Sequence, residues 1–329
     1  NQSGAYAEVM DYGAILVKVV VPDKDGRLID VVLGYDDVQQ YEVNGCFFGA
    51  IIGRSGNRIG GAKFSLYGQE YQLGKNENDN NLHSGPNGFE KKIWTVKNTD
   101  QDKNAVTFFR VSPDGENGFP GEFEVSVTYE LTEDNAIQIY YGGISDKATV
   151  ANMTNHSYFN LDGVENGDIS SQYVQIFAEQ FTRNDGRSLP TGEILSVQDT
   201  PMDFRTPKQL GADINSDYEQ IKFAKGFDNN WVIKNYDGKS IITAAKAFSK
   251  HSGITLEVLT NLPGVQLYSG NYLDGAGIEK KGAEIKNRSA FCLECQYFPN
   301  AFVNKNFPQP VLKPGEVYDK TIIYKFGII

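Results

Sequence analysis

One carboxylate stands out by its position, because Glu294 lies within the strand-like apolar segment FCLECQYFPN (291–300). On an extended chain, Glu294 shares a face with Cys292 and Gln296. Burying an isolated charge is costly, so a carboxylate here must find partners or stay protonated. Two interpretations stay open on this segment alone: a buried ion pair, and a catalytic carboxylate whose pKa is shifted for acid–base chemistry.

Cys292 and Cys295 form a C-x-x-C spacing, which in other contexts marks a metal or redox site. In a strand, residues three apart point to opposite faces, so the two thiols would not converge on one ion. A structural zinc site needs four ligands, and the chain has no second C-x-x-C. We therefore expect no metal here and predict that both cysteines pack as small apolar side chains.

Three histidines are the other candidates for proton transfer. His83 lies in the polar, glycine-rich string NNLHSGPNG, and His156 lies in NMTNHSYFNL, where polar residues interrupt an apolar run. His251, in FSKHSG, has the pattern of a turn before a strand and is interpreted as a surface residue. A lone histidine is more often structural than catalytic, so composition alone assigns no role to His83 or His156.

Other polar side chains occur in segments that are too polar for plain packing. They are Arg54, Asn57 and Arg58 in GRSGNRIGG, Asp228 in GFDNNWVI, and Gln266 in LPGVQLYSGN. The first segment is not a phosphate-binding loop, because no G-K-[ST] follows and no βαβ pattern surrounds it. Carboxylates, amides, arginine and nearby aromatic rings are the groups that bind a sugar, since polar groups pair with hydroxyls and ring faces cover C–H patches.

Composition narrows the class of partner. The 329 residues carry a net charge of −11, which disfavours nucleic acid and anionic membranes and leaves a neutral small molecule as the expected ligand. No apolar run approaches the roughly 20 residues of a membrane helix. The residues after Asn1 lack the basic and apolar regions of a signal peptide. Three cysteines are too few for a disulfide scaffold, so we expect a reducing, cytoplasmic location.

The elements that must position these side chains are short strands. In FEVSVTYEL (123–131) apolar and polar residues alternate without interruption, which is typical of a half-buried antiparallel strand. Further such runs are AILVKVVV (14–21), VTFFRV (106–111), AIQIYY (136–141), YVQIFA (173–178), GITLEVL (253–259) and TIIYKF (321–326). A hairpin is predicted at 63–73 with its turn near Gly68, and helical turns only at 206–213 and 217–224. The pattern predicts an all-β chain: one large antiparallel β-sandwich, as a single domain over residues 1–329.

Nine motifs, in this order, resemble those of the aldose 1-epimerases, also called galactose mutarotases. They are GRSGNRI (53–59), NNLHSGPNGF (80–89), GFPGEFEVSVTYELT (118–132), NMTNHSYFNLDG (152–163), LPTGEI (189–194), MDFR (202–205), GFDNNWVI (226–233), LPGVQLYSGNYL (262–273) and the C-terminal strings CLECQYFPNAF, NFPQPVLKPGE and YKF (292–326). The resemblance covers nearly the whole chain, and NHSYFNL together with E-x-Q-x-F-P is its most specific part.

The resemblance implies a galactose mutarotase-like supersandwich that interconverts the α and β anomers of free aldoses, typically galactose and glucose, with no cofactor. It implies that Glu294 is the general base and His156 the general acid. The residues implied to hold the sugar are Asn57, Arg58, His83, Asp228 and Gln266, with Tyr158 as a further candidate for the cavity wall. At ordinary pKa values the glutamate is ionised at neutral pH, and the histidine is a ready acid if neighbouring carboxylates keep it protonated.

The chain departs from the family pattern in two places. Asn229 follows the aspartate of GFD, where relatives often carry histidine, which implies an altered cavity edge. Relatives also usually begin ahead of the position of Asn1, which implies a further segment before it.

We expect the protein to be a monomer or a homodimer, and three other functions stay open. A sugar-phosphate 1-epimerase, of the glucose 6-phosphate type, would need a further cation, for which Arg54 is the candidate. A non-catalytic carbohydrate-binding protein would use the same polar groups without proton transfer. A glycoside hydrolase would need two carboxylates, for which Asp228 and Glu294 are the candidates.

Overall fold

The computed structural model describes all 329 residues, and short strands make up most of its regular structure. The strands are β1 (Tyr6–Met10), β2 (Ile15–Pro22), β3 (Leu28–Asp30), β4 (Ile51–Ile52), β5 (Arg58–Ile59), β6 (Lys63–Leu66), β7 (Gln69–Gln72), β8 (Asn81–Leu82), β9 (Thr95–Asp100), β10 (Ala105–Ser112), β11 (Phe123–Leu131), β12 (Ala136–Ser145), β13 (Thr149–Val150), β14 (Thr154–Asn155), β15 (Tyr173–Ile176), β16 (Gln180–Asn184), β17 (Pro190–Ser196), β18 (Lys208–Gln209), β19 (Asp228–Val232), β20 (Ile242–Phe248), β21 (Ile254–Thr260), β22 (Gly264–Tyr268), β23 (Cys292–Gln296), β24 (Val311–Leu312) and β25 (Val317–Ile328).

The helices are short and few. They are α1 (Val38–Val43), α2 (Leu210–Asp213) and α3 (Glu219–Ala224), with 3-10 segments at Gly60–Ala62, Phe89–Lys91, Glu116–Gly118 and Val164–Asn166. The two predicted helical stretches are confirmed by α2 and α3. Helix α1 was not predicted; the Asp37 side chain caps it by accepting a hydrogen bond from the Gln39 N–H. No helix is long and apolar enough to cross a membrane.

Alternation in the sequence determines where the strands form. FEVSVTYEL forms β11 at the predicted bounds, and its apolar residues Phe123, Val125 and Val127 are buried. The hairpin of β6 and β7 also forms as predicted. Its two turn residues, Tyr67 and Gly68, both have positive φ (50° and 86°), which is the backbone that a two-residue hairpin turn requires.

Two sheets dominate the architecture. One has nine strands in the order β18-β15-β20-β21-β25-β12-β11-β10-β9, and the other has five in the order β17-β16-β19-β22-β23. Every strand pairing within them is antiparallel. A core cluster of 53 buried residues combines Val127 and Leu256 of the larger sheet with Val265 and Leu293 of the smaller one. The predicted antiparallel β-sandwich is therefore confirmed.

The five-stranded sheet has one apolar and one polar face at β22 and β23. Gln266 pairs with Glu294, and Tyr268 pairs with Cys292, so these side chains share one face. Cys295 points the other way, into the 53-residue core cluster, whereas Cys292 belongs to a separate cluster of 13 residues. The prediction that the two cysteines face opposite ways is confirmed, and both are free thiols.

A buried ion pair anchors the long connection between β22 and β23. Lys280 Nζ lies 2.6 Å from Asp30 Oδ2, with side-chain exposures of 3% and 5%, and donates to the Val17 carbonyl at 2.7 Å. Burial raises the pKa of Asp30 and lowers the pKa of Lys280. The pair joins this connection to the three-stranded sheet of β1, β2 and β3.

We predict that Lys280→Met lowers the free energy of unfolding by about 3–5 kcal/mol, because Asp30 would be left as an unpaired buried charge. Urea unfolding curves measure the loss. Adding Asp30→Leu to the first variant should recover most of it, since the unpaired charge is then removed. Lys234→Met is the matched control: it breaks the exposed Lys234–Glu179 pair (2.7 Å) and should change little. Equal losses for both lysine variants would contradict the prediction.

Candidate active site

A cavity of about 470 Å³ lies over the polar face of the five-stranded sheet. Every predicted site residue except Gln266 lines it: Asn57, Arg58, His83, His156, Tyr158, Asp228 and Glu294. The structure thus brings together residues that are up to 237 positions apart in the chain (Asn57 to Glu294). His251 lies exposed in a turn before β21, as predicted, and takes no part in the cavity.

His156 is fixed by backbone and ring contacts beside Glu294. Its N–H donates to the Ala50 carbonyl at 2.9 Å, and its own carbonyl accepts from the Gly49 N–H at 3.0 Å. Its imidazole stacks on the Tyr158 ring, with centroids 4.9 Å apart and planes at 21°. Nε2 of His156 then lies 3.7 Å from Oε2 of Glu294. The fold therefore places an imidazole and a carboxylate side by side at the cavity wall.

Burial shifts the pKa values of this pair in opposite directions. It raises the pKa of Glu294 well above its usual value, with Asp228 adding to the rise and Arg58 opposing it. Burial lowers the pKa of His156 to about 4. The expectation of an ionised glutamate beside a protonated histidine is therefore wrong for the free protein. At a pH between the pKa values of His156 and Glu294, the pair holds one proton. Burial favours the neutral arrangement, in which that proton is on Glu294.

His83 faces the same cavity from a tightly bent loop. Its backbone is left-handed (φ 52°), and its Nδ1 accepts a hydrogen bond from the Asn57 N–H at 3.3 Å. Burial, together with the nearby His156 and Arg58, lowers the pKa of His83 well below its usual value. The ring is therefore neutral and carries its proton on Nε2. It is a hydrogen-bond donor suited to a hydroxyl group.

The donor atoms of His83, His156 and Glu294 all lie within 4.8 Å of one another, which is close enough for a metal site. Two histidines and a glutamate also form a known ligand set for catalytic zinc. A ligating imidazole must offer a lone pair, however, and the hydrogen bond from Asn57 to Nδ1 places the proton of His83 on Nε2. The arrangement of His83 does not fit a metal ligand, so the absence of a metal stays our prediction.

A polar network fixes the groups opposite the acid–base pair. Arg58 donates to both oxygens of Glu77 at 2.7 Å, and its Nη1 lies 3.8 Å from Asp228 Oδ2. Gln266 does not reach the cavity wall; it donates to Asp228 Oδ1 at 2.7 Å, and Gln296 donates to Gln266 at 3.1 Å. Gln266 thus fixes Asp228, and the contact with the sugar that the resemblance implies for Gln266 stays a prediction.

Some functional residues were not found in the sequence. Glu77, which pairs with Arg58, lies in the polar string NENDN, where nothing distinguishes it from its neighbours. Phe47, Tyr268 and Tyr272 add aromatic surface to the cavity. Of these, Tyr268 had a signal, because it alternates with Gln266 on the same strand face.

Two further residues singled out in the sequence, Arg54 and Asn229, also lie outside the cavity. Arg54 is 1% exposed, and its guanidinium donates to the Ser112 and Thr149 side chains and to backbone carbonyls. It is a structural cation, so the expectation that it could bind a phosphate is wrong. Asn229 is fully buried and donates to Gln220 Oε1 at 3.1 Å. The predicted change at the cavity edge is therefore also wrong, since Asn229 and Asp228 point to opposite faces of β19.

Comparison with known proteins identifies the family of this chain. The family model described as aldose 1-epimerase matches residues 1–325. The galactose mutarotase of Bos taurus is 41% identical over 321 residues, covering 98% of this chain and 91% of that protein. The aldose 1-epimerase of Escherichia coli (strain K12) is 36% identical, covering 99% and 93%.

Solved structures match the fold over the same length. The aldose epimerase homologue from C. elegans superposes with a TM-score of 0.91 at 31% identity, covering 100% of this chain and 97% of that one. The galactose 1-epimerase from Lactobacillus acidophilus has a TM-score of 0.86 at 28% identity, covering 100% and 92%. On the full-length family match, the relatives and the shared fold, the chain belongs to the aldose 1-epimerase family of isomerases.

Proposed function

We propose that this aldose 1-epimerase interconverts the α and β anomers of free aldohexoses, galactose and glucose among them, with Glu294 and His156 as its acid–base pair. The observation that carries the proposal is the buried pair of His156 and Glu294 at the cavity wall. Its Nε2 and Oε2 are 3.7 Å apart, and Oε2 has no hydrogen-bond partner within the protein. A buried, unpaired carboxylate oxygen needs a partner, and a sugar hydroxyl supplies one.

Ring opening needs one base and one acid on neighbouring atoms of the sugar. Glu294, as carboxylate, takes the proton of the anomeric hydroxyl while the bond between C1 and the ring oxygen breaks. His156 gives its Nε2 proton to the ring oxygen. The free aldehyde then rotates about C1–C2, and reclosure on its other face returns both protons to the groups that supplied them.

Proton location must change when the sugar binds, because burial alone favours protonated Glu294. Hydroxyls that donate to a carboxylate stabilise its charged form. A bound sugar therefore lowers the pKa of Glu294 and moves the shared proton to Nε2 of His156. The product of ring opening, protonated Glu294 with neutral His156, is the arrangement that burial favours.

The rest of the cavity supplies groups that fix the sugar. The Nε2–H of His83 and the carboxylate of Asp228 suit hydroxyls as donor and acceptor, and Arg58 faces the same space. Tyr158 and Phe47 place ring surface beside the pair, with Phe47 stacked on His156 at 5.9 Å. The relatives are named for galactose, which supports an aldohexose as substrate.

We also propose that residues 1–329 act as one domain, because Val19 and Val31 near the N-terminus join the same core cluster as Phe326 near the C-terminus. One chain supplies the whole cavity wall, so a monomer or a homodimer would be active. The three free cysteines support a cytoplasmic location.

We predict that Glu294→Gln or His156→Asn lowers kcat by about 10²- to 10⁴-fold, because each removes one proton-transfer group. Polarimetry of fresh α-D-galactose and α-D-glucose measures the rate. His251→Asn, an exposed histidine outside the cavity, is the matched control and should relax the sugars at the wild-type rate. A non-catalytic binding protein would show no catalysed relaxation even as wild type. In the enzyme, Glu294→Gln should keep sugar binding while it loses turnover. Near-wild-type turnover in either active-site variant would refute the roles assigned here.

The single proton that Glu294 and His156 hold between them predicts how kcat/KM depends on pH. Below the lowered pKa of His156, about 4, both groups are protonated and no base is left. Above the raised pKa of Glu294 both are deprotonated and no acid is left. We therefore expect kcat/KM, corrected for spontaneous mutarotation, to be flat between these limits and to fall as the pH approaches about 4. A fall centred on the ordinary histidine pKa of roughly 6.5 would contradict this assignment.

A sugar-phosphate substrate is disfavoured because the arginines at the cavity are already paired with carboxylates. Arg58 is already held by Glu77, and Arg187 at the cavity is exposed and paired with Asp185 at 3.0 Å. We predict that glucose 6-phosphate does not compete with glucose for the site. Its anomers should also interconvert no faster than those of glucose. If the anomers of glucose 6-phosphate interconvert faster than those of glucose, and Arg187→Ala removes the difference, the free-sugar assignment would be overturned. The phosphate group would then lie at Arg187.

A glycoside hydrolase is disfavoured because Asp228 is held by Gln266 and faces Arg58, which suits a fixed acceptor rather than a second catalytic acid.

A further inference from the structure

The proposed reaction uses Nε2 of His156 and leaves Nδ1 unexplained. Nδ1 lies 3.6 Å from Sγ of Cys292, within hydrogen-bonding distance for sulfur, and both residues are buried. On the other side of the ring, Nε2 lies 3.7 Å from Oε2 of Glu294, where burial favours the proton on the carboxyl group. An Nε2 that faces a protonated carboxyl group offers its lone pair, so the proton of the neutral ring lies on Nδ1.

Cys292 is placed to act on His156 by the register of β23. It is two residues before Glu294 on the same strand face, and it pairs across the sheet with Tyr268. Burial, with a further contribution from Glu294, raises the pKa of its thiol well above the usual value, so the group stays neutral. It is not part of the cavity lining and has no direct access to the sugar.

We propose that Cys292 is a positioning residue for the acid–base pair: its sulfur accepts the Nδ1–H of His156 and holds the imidazole in the tautomer whose Nε2 faces Glu294. In this tautomer the neutral ring offers a lone pair at Nε2, and all proton exchange takes place there. The Nδ1 proton never leaves the ring. The inference rests on the proposed role of His156 as the proton donor.

A thiol suits this role because it is a weak acceptor. A carboxylate at the same place would stabilise the imidazolium and raise the pKa of His156, which would make its Nε2–H a poorer acid. Sulfur fixes the tautomer with little stabilisation of the charge. That agrees with the lowered pKa of about 4 at His156.

The test is the tautomer of His156, read from nitrogen-15 NMR shifts of protein with labelled histidine. The chain has three histidines, so the His156→Asn and His251→Asn variants assign the signals. We expect free wild-type protein at neutral pH to show a protonated Nδ1 and an unprotonated Nε2. Wild type with its proton on Nε2 would overturn the proposal, and this outcome does not require a Cys292 variant to fold.

Variants then test the sulfur itself. Cys292→Val should mix the two tautomers and lower kcat by roughly 10-fold, with KM unchanged because the sugar is not touched. Cys292→Ser keeps an acceptor and should restore both the tautomer and most of kcat. Cys295→Val is the matched control, since this cysteine is equally buried on the same strand but faces the other way.

The outcomes separate the two proposals. A Cys292→Val protein that keeps the wild-type tautomer, or that loses no more kcat than Cys295→Val, overturns the role of Cys292. A His156→Asn protein with wild-type turnover overturns the role of His156 instead, whatever the tautomer in the wild type.

Discussion

Burial of one carboxylate and one imidazole within 3.7 Å of each other is the constraint on which the rest of the site depends. Burial pushes each group towards its neutral form, which for Glu294 means holding a proton and for His156 means lacking one. The pair then shares one proton across a wide pH range. A reaction that moves one proton on and one proton off a sugar ring needs a pair in this state and nothing further. The site therefore depends on a fold that keeps these two side chains buried beside each other.

The five-stranded sheet meets this requirement because one of its faces is apolar and the other is polar. Its apolar face closes the core, so the polar face is held rigidly with Glu294 on the last strand. Gln296 donates to Gln266 and Gln266 donates to Asp228, which fixes an acceptor that faces the cavity. Glu77 does the same for Arg58. Groups held in this way need not reorganise when the substrate arrives, which is the main electrostatic advantage of a folded site over water.

Alternation made the fold and the face of Glu294 predictable from the sequence. Period two in FEVSVTYEL located β11 at its bounds, and the same rule separated Cys292 from Cys295. Roles for His156 and His83 came only with the family resemblance, because a histidine in a polar string has no pattern of its own. Three features depend on pairings between distant segments, which local periodicity does not encode. They are the pairing of Glu77 with Arg58, the burial of Arg54 and the hydrogen bond from Gln266 to Asp228. Protonation states were beyond the sequence for the same reason, since burial decides them.

The nine-stranded sheet has a consequence for synthesis. Its middle strand, β25, is the last of the chain and pairs with β21 on one side and β12 on the other. Until the ribosome has released this strand, the sheet exists as two halves with open edges, one ending at β12 and one at β21. Exposed edges of this kind invite pairing with other chains, and contacts so far apart in sequence form slowly. Nascent chains of this protein therefore pass through an aggregation-prone stage that ends only when the C-terminal strand inserts between the halves.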